Sequence, residues 1–110
     1  MGTHVYTFEF YRDGRNRPHL RSSPACTELE QFVESDIQAD PVSCKELIDV
    51  IDQVQRGSVN AWEGTGNAYT VSLTGEGAVL HHEWSPIPPC EVPLEDFRGA
   101  LLAWLSGIQG

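Results

Sequence analysis

Residues 62–73 read WEGTGNAYTVSL, and the fold turns on whether this stretch is a ligand loop or a turn between strands. A phosphate-binding loop needs glycines so that backbone N–H groups can approach an anion, followed at once by a helix whose dipole adds to the field. Here Gly66 is followed instead by Asn67, Ala68, Tyr69, Thr70, Val71, Ser72 and Leu73, with Tyr69, Val71 and Leu73 on one side of a two-residue period. That is the period of a strand, so the stretch predicts strand, turn, strand, with Gly64-Thr65-Gly66 supplying the positive φ values of a tight hairpin.

Working outward, Thr74-Gly75-Glu76-Gly77 predicts a second tight turn, so residues 58–63, 67–73 and 78–84 form an antiparallel meander. The segment SPIPPCEVP, 85–93, is expected to leave the sheet, because its four prolines lack ladder donors. Pro93 then suits the first turn of a closing helix with Leu94, Phe97, Leu101, Trp104, Leu105 and Ile108 on one face. Upstream, Leu47, Ile48, Val50, Ile51 and Val54 form the stripe of a helix with a Ser43/Glu46 capping box and Gly57 as its C-terminal cap. Asp40-Pro41 separates it from an earlier helix, about 28–38, with capping-box spacing at Thr27 and Glu30 and apolar positions at Leu29, Phe32, Val33 and Ile37. At the N-terminus VYTFEFY, 5–11, places Tyr6, Phe8 and Phe10 on one face, RDGRNR turns, and PHLRSS returns as a second strand. The order ββααβββα describes a single α+β domain over residues 1–110: an antiparallel sheet, hairpin plus three-stranded meander, packed with three helices.

Charge narrows the function. Sixteen acids against seven bases leave a net charge of −9, which repels nucleic acid and anionic membrane and favours basic partners. Arg12, Arg15, Arg17 and Arg21 lie in the first hairpin, while residues 28–96 hold fourteen acids against Lys45 and Arg56. No apolar run approaches the ~18 residues of a membrane span, and MGTHVYTFEFYRDG carries charge where a signal peptide would be apolar, so a cytoplasmic protein is expected. Cys26, Cys44 and Cys90 are odd in number and form no CxxC pair, which suggests reduced, mostly buried thiols.

Motifs for chemistry are sparse. His81-His82-Glu83 resembles a metal or acid–base cluster, but on a strand neighbours face opposite ways, so His81 pairs with Glu83 while His82 shares its face with Leu80 and Trp84. There is no nucleophile elbow and no oxyanion loop, and Glu95-Asp96 suits the dipole of a helix start. Neither an enzyme nor a cofactor or metal is expected. The Tyr6, Phe8, Phe10 and Tyr11 aromatics interleave with a basic hairpin, yet alternation assigns three of them to the core rather than to a stacking platform. Trp62 beside its turn has two readings: an interface aromatic whose neighbour Glu63 pairs with a partner's base, or the lid of the sheet's own core.

The run QRGSVNAWEGTGNAYTVSL, then a turn, a strand and a helix beginning PLEDF, together with the N-terminal FEFYRDG, resembles a group of small bacterial proteins that includes the YacL-like family and immunity proteins of contact-dependent growth inhibition systems. The resemblance covers roughly residues 28–105, and the proline-rich 85–93 segment departs from it. It implies a non-catalytic cytoplasmic inhibitor that forms a 1:1 complex with a cognate toxin, commonly a tRNA-cleaving nuclease with a basic groove, and it implies no nucleic-acid or membrane partner. Combined with the charge, it suggests contacts from Glu28, Glu30, Glu34 and Asp36 on the first helix, Asp49 and Asp52 on the second, and Trp62 with Glu63 at the turn. Two alternatives remain open: a YacL-like housekeeping domain that binds RNA or a ribosomal component through the Arg12 to Arg21 hairpin, and a small hydrolase using Cys90 or His81.

Overall fold

The computed structural model describes residues 6–86 and 88–110; Val5 of the expected first strand lies outside them. Its elements are β1 (Thr7–Arg12), β2 (Pro18–Ser23), α1 (Thr27–Phe32) continued by a π-helical turn (Val33–Ile37), α2 (Pro41–Gln55), β3 (Ala61–Thr65), β4 (Tyr69–Thr74), β5 (Gly77–His82), β6 (Cys90–Val92) and α3 (Leu94–Gln109). The architecture is α+β, with β1 and β2 as one antiparallel sheet and β3-β4-β5-β6 as a second.

Helices form the middle layer. α2 packs on β3, β4 and α3; α3 also touches β1, β2 and β5; and α1 lies between β2 and β5. The four-stranded sheet therefore turns Tyr69, Val71, Leu73, Ala78, Leu80 and Val92 inward, all buried, while Glu63, Thr65 and His81 face solvent on its other side. On the far side of the helices the hairpin lays Phe8 and Phe10 against α3, Phe10 meeting Trp104 edge-on at 5.4 Å. Trp104, fully buried, donates its indole N–H to the Gln38 carbonyl at 2.6 Å, as a buried indole must.

Several boundaries differ from those the sequence suggested. Neither capping box forms. Glu30 turns back to the β2 backbone, and α2 begins three residues early, with Pro41 at its first position and Asp40 rather than Ser43 as its N-cap, accepting from the Val42 N–H at 3.0 Å and from Ser43 Oγ at 2.7 Å. Pro41 brings a fixed φ that suits the first helical position, and Asp40 just before it supplies the capping oxygen. The proline-rich segment does return to the sheet: Cys90, Glu91 and Val92, which keep their N–H donors between Pro89 and Pro93, pair antiparallel with Leu80, Val79 and Ala78. A hairpin and a three-stranded meander thus become a two-stranded and a four-stranded sheet. β3 also runs on through Gly64 and Thr65, so the turn sits at residues 66–68.

The junction between α1 and α2 is under local strain. Gln38 follows the π-helical turn at φ 57°, ψ −148°, a region that glycine occupies freely and a side chain does not. It is held there by its own N–H on the Val33 carbonyl at 2.8 Å, its side-chain amide on the Ser35 carbonyl at 2.9 Å, and the Trp104 indole on its carbonyl.

Candidate functional site

The glycine turn of residues 66–69 does embrace an anion, and that anion belongs to the chain. Ala68 and Tyr69 donate their backbone N–H groups to Oδ1 and Oδ2 of Asp36, each at 3.0 Å; Ser35 Oγ donates to Oδ1 at 2.9 Å. Asn67 completes the tie by donating its side-chain amide to the Ser35 carbonyl at 3.0 Å. A Cβ on Gly66 would lie 2.5 Å from Asp36 Oδ2, and one on Gly64 would run into the Trp62 ring. Positive φ is not the reason for these glycines, since among the described ones only Gly57 and Gly77 have it. They are small so that a carboxylate and an indole can lie against the backbone.

The other acids of the first helical segment are similarly engaged. Glu30 accepts from the N–H and Oγ of Ser22 at 2.7 and 2.8 Å, and Ser22 Oγ in turn receives the Cys26 N–H at 2.8 Å. Glu34 meets His19 Nδ1 at 3.1 Å, while His19 Nε2 meets Asp13 at 2.8 Å. A carboxylate on each nitrogen favours the protonated ring: the Asp13 bond first, then the Glu34 bond, raise its pKa above the usual histidine value. The same bond, with the backbone N–H groups of Arg17 and Arg15, lowers Asp13 to about 2. Glu28 is half-buried at the start of α1.

On α2 the arrangement is mixed. Glu46 and Asp49 are exposed, one turn apart, beside exposed Lys45. Asp52 is drawn to α3 by Arg98, whose Nε and Nη2 reach its two oxygens at 2.7 and 3.4 Å. Between α2, the π-helical turn and β3 lies an open groove of about 470 Å³, with Phe32, Leu47, Val50 and Trp62 as apolar lining and Asp36 and Glu46 as its carboxylates. Trp62 is half-buried on the inner face of β3, over Gly64, so it both lids the sheet's core and walls this groove. Glu63 points to the other face, exposed, 3.4 Å from Ser72 Oγ. β3 is an edge strand of its sheet.

Of the eight residues selected from sequence, Asp36 and Trp62 therefore meet at one groove, Asp49 lies on the other side of α2, facing Leu102 and Leu105 of α3, and Glu30, Glu34 and Asp52 are tied to neighbouring elements. Two residues were overlooked. Glu46 had been assigned to a cap. The spacing places Trp84 on a strand face with Leu80 and His82, but β5 ends at His82, and Trp84 turns out to 80% exposure, its backbone N–H on His82 Nδ1 at 3.1 Å and its indole N–H on the Asn67 carbonyl at 3.3 Å. The signal for this was the proline run that follows at once, which ends the strand early.

Other constellations are occupied locally. His81 and Glu83 do share a face, at 3.6 Å, while Cys90 lies against Cys26. No group of three His, Cys, Asp or Glu side chains among the described residues converges for a metal, and no described helix is long and apolar enough to cross a membrane. On the hairpin, Tyr11 already has the Arg21 guanidinium 4.9 Å over its ring and His19 stacked at 5.2 Å. Compared with protein-family models, curated proteins and solved structures, the chain matches none of them.

Proposed function

We propose that this chain is a cytoplasmic immunity protein that binds the nuclease domain of a cognate toxin from a contact-dependent growth inhibition system, without catalysis of its own. The observation that carries the reading is the α2–β3 groove, which sets an apolar floor beside the carboxylates of Asp36 and Glu46, neither of them bridged to a Lys or Arg among the described residues. Apolar contact supplies affinity once such a groove is filled, and the net charge of −9 speeds encounter with a basic nuclease and disfavours acidic partners. Glu46, Asp49 and Glu63 are the steering carboxylates, and Trp62 is the aromatic anchor. Glu30 and Glu34 act inside the domain, and Asp36 sets the shape of the groove rather than meeting the partner.

Isothermal titration against the nuclease domain encoded beside this chain, with a tRNA-cleavage assay on the same mixture, tests the proposal. A 1:1 complex that stops cleavage is expected. Absence of a complex, combined with RNA affinity that falls steeply with salt, would replace it with the RNA-binding reading through the Arg12 to Arg21 hairpin.

A further inference from the structure

A pair of thiols stands apart from the groove. Cys26 ends the β2–α1 connection as the N-cap of α1, and Cys90 is the first residue of β6. Their Sγ atoms lie 2.8 Å apart although the residues are 64 positions apart in sequence. A disulfide needs about 2.05 Å, so less than 1 Å or so of closure separates the free thiols from a bond.

We propose that Cys26 and Cys90 form an oxidisable pair that closes to a disulfide and clamps the start of α1 to the edge strand β6. Cys90 is half-buried and Cys26 is 5% exposed, so a small disulfide such as oxidised glutathione reaches Cys90 first. The Cys90 thiol gives its proton to solvent and its sulfur attacks one glutathione sulfur; the glutathione S–S bond breaks, a Cys90–glutathione bond forms, and the first glutathione leaves as a thiol. Cys26 then loses its proton, attacks Cys90 Sγ and expels the second glutathione. Two cysteine thiols are oxidised to one cystine, and one glutathione disulfide is reduced to two thiols.

The surroundings make this a slow response rather than fast exchange chemistry. Burial first, then the Cys26 contact and the charges of Glu28 and Glu91, push the Cys90 thiol up to about 12, which keeps it protonated and unreactive in a reducing cell. Cys44 is no competitor: it is fully buried between α2 and α3, donates to the Leu101 carbonyl at 3.3 Å, and burial pushes it up to about 11. Closure would hold β6, and with it the connection that carries Trp84, against the helical layer.

The test is to incubate the full chain with oxidised glutathione to equilibrium, then count thiols and weigh the intact protein. Expected are the loss of two of the three thiols, a mass lower by about 2 Da, a peptide linking Cys26 to Cys90, and a Tm raised by roughly 10 °C that dithiothreitol reverses. The Cys26→Ser chain should stop at a glutathione adduct on Cys90, and the Cys90→Ser chain should remain unmodified. Three persistent thiols, a stable glutathione adduct on the native chain, or a bond to Cys44 would overturn the proposal. An adduct on Cys26 in the Cys90→Ser chain would overturn the order of attack.

Discussion

The first helical segment, α1 with its π-helical turn, and α2 look alike as sequence, yet α2 leaves more of its acids facing solvent. Along 28–36 three of four carboxylates are bonded to another element: Glu30 to β2, Glu34 to His19, Asp36 to the β3–β4 turn. On α2, Glu46 and Asp49 face solvent, Glu46 at the rim of the α2–β3 groove and Asp49 on the side toward α3. The difference teaches that a run of acids is a composition and not a surface. A carboxylate within reach of backbone N–H groups becomes an internal ligand, because leaving those donors unsatisfied costs more than hydrating the acid returns.

The comparison breaks most visibly at Asp36. Asp36→Ala removes the acceptor of two backbone N–H groups, one of them on buried Tyr69, and should cost about 2–4 kcal/mol in urea unfolding, with Asp36→Asn losing roughly half of that. Gly66→Ala, which puts a methyl 2.5 Å from Asp36 Oδ2, should cost about 1–3 kcal/mol by the same measurement, the carboxylate being forced off its donors. Next comes a gain: Gln38→Gly relieves a positive φ of 57° and should stabilise by about 1 kcal/mol, an outcome that a relaxed turn would not give.

The first segment also carries a pH signature through the His19 ring that Glu34 meets. Since the folded His19 pKa is raised, its contribution is fully present below about 6.5 and is lost as pH rises through the raised value. Asp13, lowered to about 2, works in the other sense: its contribution holds above about 3.9 and fades as pH falls toward the folded value. The Tm of the native chain should therefore decline as pH rises above about 6.5, and the decline should flatten in His19→Gln.

Much of the framework was legible because it rests on local periodicity. Tyr6, Phe8 and Phe10 alternate into the core, Gly57 follows α2 at φ +77°, and Phe97, Leu101 and Trp104 are buried on the face their spacing gave. What escaped depended on partners remote in sequence. Asp36 and Tyr69 are 33 positions apart, so nothing near Gly66 announces that an acid needs its space. β6 was hidden because three residues between prolines have too little pattern to outweigh the missing donors around them. Glu46 went unnoticed because a capping role accounted for it locally, whereas Asp40 in fact takes the cap.

The smallest effect on stability should come with the largest effect on binding. Reversing Glu46 and Asp49 together to Lys should leave the unfolding free energy within about 0.5 kcal/mol of the native chain, as exposed positions without internal partners allow. Stopped-flow association of that variant with the toxin's nuclease domain at low salt tests the central claim most directly. A rate reduced at least about tenfold, with Tm unchanged, is the predicted result; a rate equal to that of the native chain would contradict the assignment of α2 as the docking helix.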